Sequence, residues 1–375
     1  MQRILFVLDT LMAGGVENQM TALITGLDRS RFAPHVMCLY SARAGRSTHF
    51  LPRLEAAEIP VHLLDLALSP GGKAAALRHL ITALYRQNID LLHTSNYHGN
   101  ILAGYARLLR PWTKLVVSVN LENTPRMRRN QQVSWRIADR VLCISPHLVE
   151  EVHRQGKISR HKLAFLPNGL DYDAFAHNPR PGYRETIAPN ASGVFVCLSR
   201  IVKRKAPDLI VEAFALLQRD HQLPPDVRAF IVGEVEHAEV QARMAALIAE
   251  HQLDEVIIQH ERTSQPAAYY HAADYTISPA HSGEGLPNVL LESMAAGKPV
   301  IVSEAANRAG VITHGQTGWV FRTGDAAHLA QTIRAALATP PDQRQQMQAA
   351  CRAKAQEFTM QKMVQRHEQV YDALL

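Results

Sequence analysis

Cysteine is scarce and scattered, with four residues in 375, at Cys38, Cys143, Cys197 and Cys351, and no CxxC pair. That spacing argues against a zinc knuckle or a disulfide framework and predicts reduced thiols in a cytosolic chain. Long apolar runs are missing too. The longest uncharged apolar runs, such as residues 4–8, fall far below the ~18 residues a membrane-spanning helix needs, so no span is expected. Asp9 interrupts the apolar N-terminal stretch and no small-residue cleavage site follows, so no secretory leader is expected either. Aromatics make up only 6% and do not interleave with the basic segments, which leaves nucleic-acid binding without a motif. What is present is 47% apolar and 20% charged residues, ample for buried cores. At ~150 residues per domain the length predicts two of them.

The net charge of +6 is unevenly spread. Residues 1–180 carry 22 Lys and Arg against 13 Asp and Glu, whereas 181–375 carry 18 against 21. Residues 101–162 hold 12 basic and four acidic side chains. Such a block fits an anionic partner, such as phosphate or lipid headgroups, or else a solvated basic face.

Short apolar runs at 4–8, 35–40, 61–64, 91–93, 115–119, 140–144 and 162–166 read as strands. Helical spacing lies between them at 16–27, 73–87, 101–109 and 146–153. Residues 166–192 break the pattern with six prolines and glycines among turn formers and read as a linker. A second series follows, with strands at 194–198, 229–232, 256–258, 275–277 and 300–302 and helices at 206–218, 240–251, 289–296 and 326–337. Helical stretches at 343–358 and 360–374 complete it. The expectation is two doubly wound α/β domains, Rossmann-like, facing across a cleft: 1–175 and 176–359, with 360–375 packing back on the first. Ligands in such sheets bind beyond the C-terminal ends of the strands.

The most informative segment is His281-Ser282-Gly283-Glu284-Gly285-Leu286-Pro287-Asn288-Val289-Leu290-Leu291-Glu292, continuing to Gly297-Lys298-Pro299-Val300. A strand runs into a glycine-flanked loop and a helix starts near Pro287, offering free N–H donors and a positive dipole end to phosphate or sugar hydroxyls. Glu284 lies at that mouth and Glu292 farther along the helix. Leu198-Ser199-Arg200 with Lys205 places two cations between a strand end and a helix start, as a phosphate clamp requires. Ala13-Gly14-Gly15-Val16-Glu17 follows the first strand but is not GxGxxG, so no dinucleotide fingerprint is present.

This EGxPxxxxE pattern, with the small-residue helix and GxPV after it, resembles the retaining GT-B glycosyltransferases called glycosyl transferases group 1, or family 4. The resemblance implies that Glu284 lies beside the donor sugar, that Glu292 binds the nucleotide ribose, and that Gly285, Leu286, Pro287 and Asn288 form the donor loop. It implies that Arg200 and Lys205 hold the diphosphate, that Gly14 and Gly15 face it from the first domain, and that Arg262 meets the base. Glu17, His98 and Asn120 fall on the acceptor side, and Arg126, Arg128 and Arg129 would form a basic rim there. Asn120 stands where many members have a histidine, and His93 and His98 also read as local hydrogen-bonding side chains. Two more positions depart from the family pattern: its GDGP reads Gly233-Glu234-Val235-Glu236, and the glycine two before Arg262 is His260.

Asp171-Tyr172-Asp173 spells a metal-binding DxD but follows the Pro167-Asn168-Gly169 turn, so it is read as a turn and no metal or other cofactor is expected. The function the resemblance implies is sugar transfer from a nucleotide sugar, UDP-sugar first and GDP-sugar next. The expected acceptor is a lipid-linked or polysaccharide hydroxyl in cell-surface synthesis, with reversible contact to an anionic membrane. A GT-B epimerase or hydrolase, or an inactive nucleotide-sugar-binding protein, would share the architecture.

Overall fold

The computed structural model describes residues 1–41, 47–121, 124–282 and 285–375. The chain divides into two compact units, one of 1–169 with 360–375 and one of 170–359. The first break follows Gly169, whereas the sequence reading placed it after residue 175.

The first unit holds a sheet of β1 (Gln2–Leu8), β2 (Phe32–Cys38), β3 (Val61–Leu63), β4 (Leu91–Thr94), β5 (Lys114–Val119), β6 (Arg140–Cys143) and β7 (Leu163–Phe165). The order is β3-β2-β1-β4-β5-β6-β7 and every pairing is parallel. Parallel strands need helical crossovers, which cover both faces and leave the strands apolar on either side. Ile4 through Leu8 are accordingly all buried. Leu5 and Val7 join one core, Ile4, Phe6 and Leu8 the other.

The helix Pro125–Ile137 has no counterpart in the hydrophobic pattern. It buries only Gln131, Ser134 and Trp135, so it carries no apolar stripe. Its start is set by Pro125 and by Thr124, whose hydroxyl accepts from the Met127 N–H at 3.3 Å.

The helix Met360–Asp372 belongs to this unit and packs on the helix Gly15–Gly26. It delivers Tyr371 and His367 to the sheet. His93 Nδ1 lies 2.7 Å from the Tyr371 hydroxyl and Nε2 lies 2.8 Å from Ser118 Oγ. The His367 ring stacks on His93 at 5.8 Å. Burial drives the His93 pKa well down and that of His367 to about 4, which keeps both imidazoles neutral. His93 is thus a satisfied core histidine.

The second unit holds β8 (Gly193–Leu198), β9 (Val227–Val232), β10 (Ile257–His260), β11 (Tyr275–Ser278), β12 (Val300–Ser303) and β13 (Gly318–Phe321), ordered β10-β9-β8-β11-β12-β13 and again parallel. β13 also escapes the sequence reading. It is a four-residue edge strand opening on Gly318, whose added Cβ would strike the Val300 carbonyl. In each sheet the chain reverses winding direction at one place, between β1 and β4 and between β8 and β11. Doubly wound sheets take their ligands at such points.

Candidate active site

In the second unit the sequence-predicted donor residues gather at the C-terminal edge of β8, β10 and β11. Arg200 leaves β8 just before the short 3-10 turn Lys203–Lys205, which leads into the helix Asp208–Arg219. The His281 N–H donates to the Arg204 carbonyl at 2.9 Å, tying the loop after β11 to the loop that carries Lys205. Lys203 pairs instead with Glu239, at 3.3 Å. Gly285, Leu286 and Pro287 are buried and lead into the helix Asn288–Ala295, whose N-cap residue Pro287 has no side-chain oxygen to cap the first turn. The positive end of its dipole thus faces the mouth of the loop.

Glu292 lies one turn into that helix. The Tyr270 hydroxyl donates to its Oε2 at 2.8 Å, and burial raises the carboxyl pKa against this bond, which lowers it. Arg262 follows β10 and is exposed, while His260 at the end of β10 bonds the Tyr269 hydroxyl at 2.7 Å. Glu284 and Gly283 lie outside the described residues. At the far end of the motif Gly297 adopts φ +73°, where a side chain would be strained and would meet the Arg352 guanidinium.

In the first unit the C-terminal ends of β1, β4 and β5 carry Asp9, Ser95 with Asn96, and Asn120. Asp9 binds the start of the helix Tyr97–Leu109, accepting from the Gly99 N–H at 2.7 Å and the His98 N–H at 3.0 Å. The His98 ring lies 3.1 Å from the same carboxylate. Gly14 precedes the helix Gly15–Gly26 in an extended conformation, and Glu17 folds back over it so closely that a Cβ at Gly14 would collide with its carboxylate. The Thr10 hydroxyl donates to Glu17 Oε1 at 3.0 Å, and burial raises the Glu17 pKa. The Asn120 amide nitrogen is committed to the Ser95 carbonyl at 2.9 Å. A cavity of about 240 Å³ opens among these loops, lined in part by Asp9, Asn96, Asn120, Met127 and Gln131.

The three arginines of the basic block do not act together. Arg126 and Arg129 are exposed on the first turns of Pro125–Ile137, but Arg128 turns to Glu151 and bonds its Oε1 at 3.0 Å. Asp171 accepts from the Ala174 N–H at 3.3 Å and caps the helix Tyr172–Ala176, and Asp173 is exposed. Among the described residues no group of three His, Cys, Asp or Glu side chains is placed to hold a metal.

Sequence reasoning missed the partners of these residues. Tyr270 behind Glu292 belongs to no motif the sequence offers. Asp9 registers there only as a break in an apolar run. Glu236, which holds Arg200, shows only as a departure from the family pattern.

Two family models match the chain in tandem, Glycosyltransferase Family 4 over residues 13–174 and Glycosyl transferases group 1 over 176–355. A GDP-mannose-dependent α-(1-6)-phosphatidylinositol monomannoside mannosyltransferase of Mycolicibacterium smegmatis is 32% identical over 48% of this chain and 48% of its own length. A D-inositol 3-phosphate glycosyltransferase of Pseudarthrobacter chlorophenolicus is 29% identical over 62% of this chain and 56% of its own. The chain thus spans about half the length of these curated relatives. Among solved structures, Anabaena HepE in complex with UDP superposes over 100% of both chains with a TM-score of 0.84 at 18% identity. A Rickettsia africae glycosyltransferase does so over 100% of this chain and 98% of its own, with a TM-score of 0.84 at 20% identity. The two parallel sheets, the loops at their C-terminal edges and the paired family matches lead to one assignment: the chain belongs to the group 1 glycosyltransferases of GT-B fold.

Proposed function

We propose that this glycosyltransferase moves a sugar from a nucleoside diphosphate sugar to an acceptor hydroxyl with retention of anomeric configuration. One observation carries the reading: Arg200 and Lys205 lie on a loop tied to the one that opens the helix bearing Glu292. Two cations and the positive end of a helix dipole suit a diphosphate, and a carboxylate one turn on suits the ribose hydroxyls. UDP-sugar is the first donor to try, since HepE has been crystallised with UDP-glucose, and GDP-sugar the second, after the GDP-mannose-dependent relative.

Chemically, the protein orients the two substrates and stabilises charge on the departing diphosphate. The leaving phosphate takes the acceptor proton on the same face of the sugar, so the chain need supply no covalent nucleophile. The test is an assay of purified protein with UDP- and GDP-sugars and a panel of acceptors, in the presence of EDTA. Release of nucleoside diphosphate that requires an acceptor, survives EDTA and gives product of unchanged anomeric configuration is the expected result. Donor turnover without acceptor would replace transfer by hydrolysis or epimerisation. Strict dependence on a divalent metal would mean that the Asp171 turn has been misread.

The acceptor we propose is lipid-linked or a growing cell-surface polysaccharide, met at an anionic membrane by the exposed Arg126 and Arg129. No helix among the described residues is long and apolar enough to cross a membrane. Each exposed cation near such a surface contributes ~1 kcal/mol, so contact through two should be reversible and salt-sensitive. In co-sedimentation, anionic vesicles should retain the protein at low salt and lose it at high salt or on joint substitution Arg126→Ala and Arg129→Ala. Equal indifference to anionic and neutral vesicles would leave these arginines as a solvated face.

A further inference from the structure

We infer that Glu236 is a positioning residue for Arg200, holding its guanidinium ready for the donor diphosphate. The inference rests on the proposal that Arg200 meets that diphosphate. Both Glu236 oxygens engage a single nitrogen, Nη1, at 2.7 and 3.0 Å. Among the described residues no partner engages Nη2 or Nε, so the side-on edge of the guanidinium, the pair that grips phosphate bidentately, is left open. A ligand can take that edge without breaking the pair.

The loop bearing Glu236 is built onto the loop bearing Arg200. Ile201 and Val235 form a β-bridge, the Ile201 N–H donates to the Glu234 carbonyl at 2.8 Å, and the His237 N–H returns to the Ile201 carbonyl at 3.1 Å. The Lys203 N–H donates to His237 Nδ1 at 3.3 Å. Gly233 permits this approach, because a Cβ there would strike the Ser199 carbonyl. Glu236 therefore sits at a fixed distance from Arg200, on backbone that cannot drift away.

The pair contributes little to the fold itself. The Arg200 side chain is 50% exposed and that of Glu236 38%, and solvent screens such pairs strongly. Its effect falls on the arginine, whose long side chain otherwise samples many rotamers that binding must freeze. Against this stands the repulsion between the Glu236 carboxylate and a diphosphate. Because Glu236 occupies one nitrogen at the end of the fork, the phosphate meets the opposite edge with the guanidinium charge between them.

The experiment is calorimetric titration of the full chain with UDP and with GDP, for the unaltered protein, Glu236→Ala, Glu236→Gln, Arg200→Ala and the Arg200→Ala, Glu236→Ala double variant. Glu236→Ala should weaken binding of the preferred nucleotide by about 5- to 10-fold through lost preorganisation. Glu236→Gln keeps an acceptor oxygen and should recover most of that loss. The double variant should bind no worse than Arg200→Ala, because the effect runs through the arginine. With donor sugar the loss should follow the pattern of Arg200→Ala, falling on kcat more than on KM. Unchanged or tighter binding in Glu236→Ala, or additive losses in the double variant, would overturn the inference while leaving the nucleotide site standing. Failure of the unaltered chain to bind either nucleotide would overturn the nucleotide reading and this inference with it.

Discussion

Arg200→Ala and Lys205→Ala should each lower kcat by about 10²- to 10³-fold, the loss typical when one preorganised donor to a developing anion is removed. The charge on the leaving diphosphate is greater in the transition state than in the bound donor, so a cation placed against it acts mainly on kcat and less on KM. The two residues stand at opposite ends of one short connection between β8 and the helix Asp208–Arg219, so both can reach one ligand group. They differ in kind, since Arg200 offers a planar fork and Lys205 a point charge. Arg200→Lys should therefore recover only part of the activity, because the charge returns without the bidentate geometry. Steady-state kinetics with the preferred donor decide the matter. A kcat within about threefold of the unaltered enzyme in both alanine variants, a difference of well under 1.4 kcal/mol, would remove the clamp from this position.

Glu292→Ala should act on the other constant, raising the donor KM by about 10- to 100-fold, in line with the ~1.5–3 kcal/mol of hydrogen bonds to a charged group. The ribose is bound alike in ground and transition states, so kcat should change little. The Tyr270 hydroxyl occupies only Oε2, which leaves Oε1 for the sugar. Because truncation also strands the buried Tyr270 hydroxyl, Tyr270→Phe is the control: it removes the supporting bond, keeps the carboxylate and should raise KM far less.

The pH dependence carries a sign. Burial raises the Glu292 pKa above the ordinary glutamate value, so the carboxylate gains its proton at a higher pH than an exposed glutamate would. Protonation removes an acceptor for the ribose hydroxyls. Donor KM should therefore climb as pH falls, beginning above the ordinary glutamate range, and the climb should vanish in Glu292→Gln. A flat KM profile in the unaltered enzyme would separate Glu292 from the nucleotide.

What could be read in advance was local. The strand runs were legible because a strand covered on both faces is apolar throughout, and the Arg200–Lys205 and Leu286–Glu292 groups each lie within a single strand-to-helix connection. The helix Pro125–Ile137 was not legible because packing, not an apolar stripe, defines it. The contacts that set each site residue join distant parts of the sequence: 22 residues part Tyr270 from Glu292, 36 part Arg200 from Glu236, and 90 part Asp9 from Gly99. Composition had the same limit. The basic block implied a common rim, yet only the fold reveals that Arg128 is taken by Glu151.

The return of the helix Met360–Asp372 to the first unit bears on how the protein is made. The second unit is one continuous stretch, Leu170–Thr359, and leaves the ribosome before the first can be completed. At about 5–20 residues per second its synthesis takes roughly ten to forty seconds. Throughout that interval His93 has no Tyr371 hydroxyl to bond, and Phe6 and Phe32, whose ring centres lie 6.5 and 5.9 Å from Tyr371 in the finished molecule, lack the ring that covers them. The nascent first unit thus carries uncovered apolar rings until that helix is made. A chaperone or a slow codon would act in that window, and the last helix closes it.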